Sequence, residues 1–321
     1  MVRVAALAAA ALALLGLASI TLGSVTLGVG EALGGLVSRD ESFARIVVWE
    51  IRVPRYLDAL LVGASLGVAG SLLQAVTRNP LADPTVMGLS GAAGLTTTFA
   101  LVLWPTVSTG GLVGAAMAGG LVGAGAILAI AWRGSVSPIR LTLAGVALSA
   151  FFGAGIVGLL ASSRTFLELS LGFLAGGLYG SEWRELRVVA PVVLPGLAAA
   201  YMLNGRLNAL ELGDEVATGL GVAPDRTRLL ALGLAGVLTG TAVAVAGLVS
   251  FVGLVSPHLA RFAVGSDQRY RLLVSAVIGA LLVGGADLVG RLVIRPAEIP
   301  MGIFTAAVGA PFLLYLLRYR S

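Results

Sequence analysis

The sequence predicts an all-α integral membrane protein of about ten transmembrane helices, and three observations support that class. First, 58% of the residues are hydrophobic and 12% are charged, with a mean hydropathy of +0.99. Soluble domains carry roughly 25% charged residues, so this chain cannot cover a water-facing surface. Second, apolar runs of membrane length alternate with short polar breaks. Third, no hydrophilic stretch is long enough for a separate soluble domain, which predicts a single transmembrane domain over residues 1–321.

The predicted spans follow from the apolar runs, because a helix needs about 20 apolar residues to cross about 30 Å of hydrocarbon. Breaks rich in Pro, Arg, Asp or Gly separate these runs. The eighth span is short and is interrupted by Pro257, and residues 31–55 form the longest polar excursion after the first span. The spans fall at about residues 4–29, 56–77, 85–104, 110–132, 141–162, 186–203, 229–250, 251–264, 272–290 and 301–317.

The second span has the composition of a packed helix rather than a lone anchor. From Tyr56 to Val76 its only charge is Asp58. Small residues recur within it, including Gly63, and small residues allow another helix to approach closely.

The two termini are predicted to be cytoplasmic. The apolar run that follows Arg3 exceeds the 7–15 residues of a signal-peptide core, which favours a retained first span over a cleaved signal peptide. An even number of spans, with Arg318 and Arg320 at the chain end, then places both termini inside. On this assignment slightly more than half of the 21 arginines lie inside, a bias of the expected sign.

A faint internal repeat predicts two oppositely oriented halves, spans 2–5 and spans 7–10. Sliding residues 61–88 along the chain aligns Gly63 with Gly240 and Pro80 with Pro257. The offset equals five spans, an odd number, so the copies are inverted relative to the membrane. Inverted repeats are the plan of many transporters, and they favour transport over anchoring or scaffolding.

Several functions are excluded because the residue types that they require are absent from the sequence. Cysteine is absent and His258 is the only histidine, so no thiolate or histidine-cluster metal site is expected. Lysine is also absent, so the chain lacks the lysine of a P-loop and any ATPase must be a separate chain. The arginines are scattered rather than clustered, which argues against nucleic-acid binding. The sequence shows no Ser-His-Asp set and no zinc signature, so no enzymatic chemistry is predicted.

Arginines mark the predicted outer side of the bundle. Arg52 and Arg55 precede the second span, and Arg291 ends the ninth. They are either snorkelling interfacial residues or a cationic patch that binds carboxylates of a soluble partner or an anionic substrate. Asp58 lies close to Arg55 and Asp287 lies one turn before Arg291, so local ion pairs are expected rather than a proton relay.

The most polar inside loop runs from Leu207 to Arg228, with helical character between Asn208 and Gly219. It is either an ordinary solvated loop or a short surface helix that docks into a groove on a cytosolic partner. Glu211, Asp214 and Glu215 fall on neighbouring faces of about one turn, and Gly219 and Gly221 break the end of this helix.

Taken in order along the chain, these motifs resemble the permease subunits of ATP-binding-cassette importers for iron-siderophores, haem and vitamin B12. The resemblance covers essentially the whole chain. Its matching positions are 51–55, 63–64, 69–70, 74, 78–84, 88, 143–148, 176–177, 183, 212–215, 220–221, 251–258, 286–287, 298–302 and 309–311.

The resemblance implies partners and site residues. It implies a second permease subunit, as a homodimer or a heterodimer, two cytosolic ATPase subunits that carry ATP and Mg, and an extracytoplasmic substrate-binding protein, in a prokaryotic cell membrane. The arginines matching the family's binding-protein contacts are Arg52, Arg55 and Arg291. The ATPase-coupling residues are Leu210, Glu211, Asp214, Glu215, Thr218, Gly219 and Gly221, and the inner gate is Pro138 and Ile139. Gln268 stands where many relatives have histidine, so it is assigned no ligand role.

The expected function is therefore import of a chelated-metal nutrient, an iron(III)-siderophore, with vitamin B12 or haem as alternatives. No cofactor is expected on this chain. A rival class is a secondary transporter driven by protons or sodium through Asp58, Asp287 or Glu168. A third is a structural scaffold without flux. The sequence leaves open which chelate is carried.

Overall fold

The computed structural model describes residues 2–37, 42–162 and 172–319, which are almost entirely helical. A two-residue antiparallel hairpin, which the all-α prediction did not include, joins two of the long helices. The helices are α1 (Val2–Thr21), α2 (Val29–Val37), α3 (Phe43–Arg45), α4 (Val53–Thr77), α5 (Leu89–Leu103), α6 (Thr109–Ala131), α7 (Pro138–Ser162), α8 (Trp183–Met202), α9 (Asn204–Glu211), α10 (Asp214–Gly219), α11 (Pro224–Ala246), α12 (Val252–Val264), α13 (Gln268–Val293) and α14 (Met301–Tyr319). A π-helical turn, Ile46–Arg52, joins α3 to α4, and the strands are β1 (Trp132–Arg133) and β2 (Ser135–Val136).

All ten predicted spans contain a helix. In the described residues, seven helical segments are long and apolar enough to cross a membrane, and the shorter apolar helices α5, α12 and α14 fill the remaining places. The short eighth span is α12, with Pro257 inside it as predicted. The first helix ends at Thr21, earlier than predicted, and the polar excursion contains α2 and the π-helical turn. That turn continues directly into α4, so one helical segment runs from Phe43 to Thr77.

Helix α4 lies at the centre of the bundle and is buried along most of its length. Its small residues allow backbone contact with α13, because a Cβ built on Gly63 would lie 2.2 Å from the carbonyl oxygen of Gly279. A Cβ on Gly70 would lie 1.9 Å from the carbonyl oxygen of Gly253 in α12. Real Cβ atoms do not approach this closely, so these positions accept only glycine without a shift of the helices.

The other half of the chain repeats this arrangement in the opposite direction. Helix α11 packs on α6, where a Cβ on Gly236 would lie 2.6 Å from the carbonyl oxygen of Gly120. One turn later, a Cβ on Gly240 would lie 2.5 Å from the carbonyl oxygen of Ala116. Gly240 is the residue that the repeat aligned with Gly63. The first helix of each half thus packs on the third helix of the other half, as an inverted repeat requires.

The bundle has two ends that carry different polar contacts. At the Arg52 end, the Arg52 guanidinium reaches the last residues of α1. At the α9–α10 end, Arg78 after α4 contacts Asp214 at the start of α10. Since α1 runs towards the Arg52 end and α14 runs away from it, both described chain ends lie at the α9–α10 end.

Candidate functional sites at the two ends of the bundle

Arg52 is buried and binds the end of the first span. Its Nη1 donates to the carbonyl oxygens of Ile20 (2.6 Å) and Thr21 (3.0 Å), and its Nη2 donates to that of Val25 (2.5 Å). The last carbonyls of a helix have no partners within the helix. The guanidinium supplies those partners and fixes the end of α1 against the start of α4.

Arg55 and Arg291 share one carboxylate. The Nη2 and Nε atoms of Arg55 donate to Asp287 Oδ1 at 2.8 and 3.0 Å. Arg291 Nε lies 3.0 Å from Asp287 Oδ2, and Arg55 Nη1 lies 2.8 Å from Glu298 Oε2. The Arg55 guanidinium also lies 5.8 Å from the ring centroid of Tyr179. Two arginines and two carboxylates thus form a nearly neutral network between α4, α13 and the segment before α14.

This pairing corrects one of the two predicted local ion pairs. The pair between Asp287 and Arg291 is confirmed. The pair between Asp58 and Arg55 is wrong, because Arg55 turns towards α13 and Glu298 instead. Asp58 is left fully buried, and neither of its oxygens has a hydrogen-bond partner among the described residues. Glu168, the third acidic candidate, lies outside the described residues.

The three arginines predicted to dock a binding protein therefore lie at one end, but each is already bound within the chain. Arg52 and Arg291 are 3% and 4% exposed. The acceptors of Arg52 are carbonyls, whereas Arg55 and Arg291 meet on Asp287. A partner's carboxylate must share these guanidinium groups with their internal partners, and the docking role stays a prediction.

At the opposite end, Glu211 anchors α9 to α13. Its carboxylate pairs with Arg271 and accepts from Gln268 Nε2 at 2.9 Å. Burial raises the pKa of Glu211, although the neighbouring Arg271 opposes this shift. Asn208 adds a second link, because its side chain bonds both Asp267 (2.8 Å) and the Gln268 backbone N–H (2.8 Å). Gln268, which was assigned no ligand role, is fully buried within this joint.

Asp214 holds two arginines from different helices. It accepts from Arg228 Nη1 and Nη2 at 2.9 and 2.7 Å, and from Arg78. Hydrogen bonds from Arg228 lower the pKa of Asp214 below its ordinary range. Arg228 is completely buried, so this half-exposed carboxylate is its main compensation. Asp214 thereby fixes the start of α10 against α4 and α11.

The predicted coupling residues divide into internal and exposed groups. Leu210 is fully buried, and Glu211 and Asp214 are bound as described. Glu215, Thr218, Gly219 and Gly221 are exposed. Gly221 has a φ of +77°, a left-handed conformation that favours glycine and ends the segment after α10.

Three exposed apolar side chains in this segment were missed by the sequence reasoning, which concentrated on its acids. Leu212, Val216 and Leu220 are 66%, 48% and 63% exposed. Val216 lies in α10, and Leu212 and Leu220 flank that helix. Their spacing of four residues is visible in the sequence. We call these three residues the apolar triplet. An apolar group that is exposed on the most polar loop is a candidate contact for another protein.

The predicted gate residues lie at the same end. Pro138 begins α7, and Ile139 is 73% exposed. The hairpin before them is tied to the first turn of α11, because the Val136 N–H donates to Asp225 Oδ1 at 3.1 Å. The gate role stays a prediction.

A helical membrane domain made of two inverted halves, with a structured polar segment at one end, has the architecture of a transporter's membrane subunit. Residues 11–319 match the model of the FecCD transport family. The chain belongs to the FecCD transport family, whose members are membrane-spanning permease subunits of prokaryotic ATP-binding-cassette importers.

Individual relatives agree over most of the chain. The Fe(3+) dicitrate transport system permease protein FecD of Escherichia coli (strain K12) is 42% identical, over 84% of this chain and 85% of that protein. The cobalamin import system permease protein BtuC of Halobacterium salinarum is 41% identical, over 87% of this chain and 75% of that protein. The Fe(3+)-citrate import system permease protein YfmE of Bacillus subtilis (strain 168) is 38% identical, over 89% and 86%.

A solved structure has the same fold along its whole length. It is described as an inward-facing conformation of a metal-chelate type ABC transporter, and it superposes with a TM-score of 0.87. The two chains are 28% identical, and the match covers 99% of each.

Proposed function

We propose that this chain is the permease subunit that carries an iron(III)-siderophore across the cell membrane by alternating access, powered by two separate ATPase subunits. The observation that carries the proposal is the α9–α10 segment. Its carboxylates fix it to α4, α11 and α13, while its apolar triplet faces outwards. Internal ion pairs hold this segment in place, and its exposed apolar side chains can contact a partner. Such a segment is suited to transmit the partner's movement to the helices.

The triplet, rather than the acids, is assigned the ATPase contact. Glu211 and Asp214 are occupied within the chain, so replacing them would disturb the segment itself and would not isolate docking. Leu212, Val216 and Leu220 are instead exposed. Glu215, Thr218, Gly219 and Gly221 are placed at the rim of the same contact.

The test replaces the triplet by serine and measures co-purification with the ATPase subunits and ATP hydrolysis in proteoliposomes. We expect ATPase association to fall at least about tenfold, since burying one Val or Leu side chain contributes about 1.5–3 kcal/mol and a tenfold change corresponds to about 1.4 kcal/mol. The thermal stability of the permease alone should be unchanged. The matched control is Leu22→Ser, which replaces an apolar side chain that is 42% exposed at the opposite end of the bundle. Unchanged association of the triple variant would contradict the assignment.

The cargo is tested by reconstituting the permease with its ATPase and binding protein. ATP-dependent uptake of ferric siderophore, haem and cobalamin is then measured in parallel. Cobalamin remains the second candidate because one relative at 41% identity is a cobalamin permease. Uptake that needs no ATP and stops with an uncoupler would instead indicate an ion-coupled secondary transporter.

The Arg52 end is assigned to the substrate-binding protein. Glu298, which is 18% exposed at its side chain, is the outermost partner of Arg55. A glutamate from the binding protein can take its place with little desolvation cost, which leaves Asp287 to hold the network. Glu298→Gln should therefore tighten binding-protein docking in a low-salt pull-down, whereas Arg55→Glu should abolish it. Equal docking by both variants would remove this assignment.

The remaining assignments complete the importer. The permease forms a homodimer with the path between its subunits, and Pro138 and Ile139 contribute to the inner gate. Both termini and the α9–α10 end face the cytoplasm. The chain is non-catalytic and binds no cofactor, so ATP and Mg reside on the ATPase subunits. Cysteine labelling from either side, at Glu215→Cys and Glu298→Cys, tests the orientation, since the natural chain has no cysteine.

A further inference from the structure

We infer that Asp58 binds a proton, which it exchanges with the Arg52 end of the bundle through the hydroxyl of Ser181. This inference concerns the chain itself and does not depend on which cargo it carries. Asp58 lies in α4, and its residue is fully buried. Among the described residues, neither carboxyl oxygen has a hydrogen-bond partner and no arginine forms an ion pair with it. An isolated carboxylate in such a place becomes neutral rather than remaining charged.

The acidic group that is electrostatically coupled to Asp58 is Glu185, in the first turn of α8. Asp58 and Glu182 both act on Glu185. The nearest arginine in sequence, Arg55, is bound by Asp287 of α13 and by Glu298. Two coupled carboxyls do not readily ionise together in a medium of low dielectric constant, so one of them retains its proton.

Ser181 provides a second, independent indication of a ligand. It is 6% exposed, and its hydroxyl has no hydrogen-bond partner among the described residues. The hydroxyl faces the Asp58 carboxyl without meeting hydrogen-bond geometry. A protonated carboxyl that rotates slightly donates to this oxygen, which satisfies both orphaned groups at once.

Ser181 also connects Asp58 to the surface. It lines an open cavity of about 460 Å³ together with Arg55, Glu182 and Trp183, whereas Asp58 itself does not reach that cavity. A serine hydroxyl both donates and accepts, so it relays a proton between the cavity and the carboxyl. A sodium ion would need about six oxygen ligands, as hard cations do. Asp58 and Ser181 together provide three side-chain oxygens, and the described residues hold no group of three or more His, Cys, Asp or Glu side chains that could bind a metal ion, so we assign the site to a proton.

Loss of this proton would act on the packing of α8 against α4. An ionised Asp58 would repel Glu185 and would be buried without compensation, and both effects favour separation of the two helices at the Arg52 end. Stability should therefore fall as the pH rises and Asp58 loses its proton, and it should be fully present at acid pH. Asp58→Asn removes the ionisation while keeping the shape of the side chain.

The experiment is infrared spectroscopy of the purified full-length permease in detergent, from acid to alkaline pH. We expect a carbonyl band of a protonated carboxyl at neutral pH that is absent in Asp58→Asn and in Asp58→Ala and present in Glu185→Gln. Ser181→Ala should keep the band but slow its hydrogen–deuterium exchange at least about tenfold, through loss of the relay. In parallel, the wild type should lose thermal stability with rising pH, and Asp58→Asn should not.

Three outcomes would overturn the inference. The first is absence of the band from the wild type at neutral pH. The second is its persistence in both Asp58 variants, which would assign it to another carboxyl. The third is its disappearance on addition of sodium at constant pH, which would identify a metal-ion site. None of these outcomes depends on ATPase binding or on uptake, so failure here is distinguishable from failure of the proposed importer function.

Discussion

The two ends of the bundle use the same device for different purposes. At both ends, two arginines from distant parts of the chain meet on one aspartate: Arg55 and Arg291 on Asp287, and Arg78 and Arg228 on Asp214. At the Arg52 end the aspartate is itself buried. At the α9–α10 end its side chain is 40% exposed and begins a surface helix.

The difference shows where each end is able to accept a partner. The Asp287 network is enclosed, so a partner must exchange with Glu298 at its margin. The Asp214 network binds the inner side of the α9–α10 segment. The outer surface of that segment, which carries the apolar triplet, is therefore left for contact with a partner. Charged residues that indicate a site in the sequence can thus hold that site in position in the structure. The neighbouring apolar residues then contact the partner.

The largest effect is expected from removing the enclosed aspartate. Asp287→Ala leaves Arg55 with one carboxylate and Arg291 with none among the described residues. Loss of one partner of a buried ion pair costs about 3–5 kcal/mol. Thermal or denaturant unfolding in detergent measures this. Glu298→Ala is the control and should cost only about 1 kcal/mol, because that side chain is partly exposed. Equal losses of unfolding free energy in the two variants would show that Asp287 contributes no more to the network than Glu298 does.

Removing Asp214, the half-exposed aspartate, should lower the free energy of unfolding by less. Asp214→Ala leaves the buried Arg228 with Asp225 at 3.8 Å. Water reaches the vacated position, so we expect a loss of about 2 kcal/mol. Glu215→Ala, one residue away and exposed, should stay within about 0.5 kcal/mol. A loss at Asp214 as large as that at Asp287 would mean that the two ends are equally enclosed.

A pH titration separates the two acids of the α9–α10 end. The pKa of Asp214 is lowered mainly by the Arg228 hydrogen bonds, so its contribution is present above the ordinary value of 3.8 and is lost as the pH falls below it. The pKa of Glu211 is raised mainly by burial. Its contribution to stability is therefore lost as the pH rises, in contrast to that of Asp214. Thermal unfolding of Asp214→Asn should approach that of the wild type in acid. A constant difference between them at every pH would contradict the pairing.

The smallest effect is expected at Asp225. Asp225→Asn keeps an oxygen that accepts from the Val136 N–H and removes only a charge 3.8 Å from Arg228. A long, half-exposed pair contributes less than about 1 kcal/mol. If thermal unfolding shows a loss comparable with that of Asp214→Ala, then Arg228 depends on both acids.

The spans could be predicted because composition alone decides which segments lie in lipid. The ends of the helices were predicted less accurately, because an apolar run can continue past the end of a helix. Helix α1 ends at Thr21 within an apolar run, since Arg52 binds its last carbonyls. The repeat was visible because Gly63 and Gly240 both make backbone contacts. Ion-pair partners were visible only within one helix, as for Asp287 and Arg291. Arg55 lies 232 residues from Asp287, and no periodicity encodes that contact.

The first turn of α11 has a mechanical consequence. Asp225 binds the hairpin that leads to Pro138, and Arg228, one turn later, binds Asp214 at the start of α10. A push on α10 therefore reaches the start of α7 across a single helical turn, without passing through the lipid-embedded part of the bundle. Because one helical turn is short and stiff, little of that displacement is lost on the way.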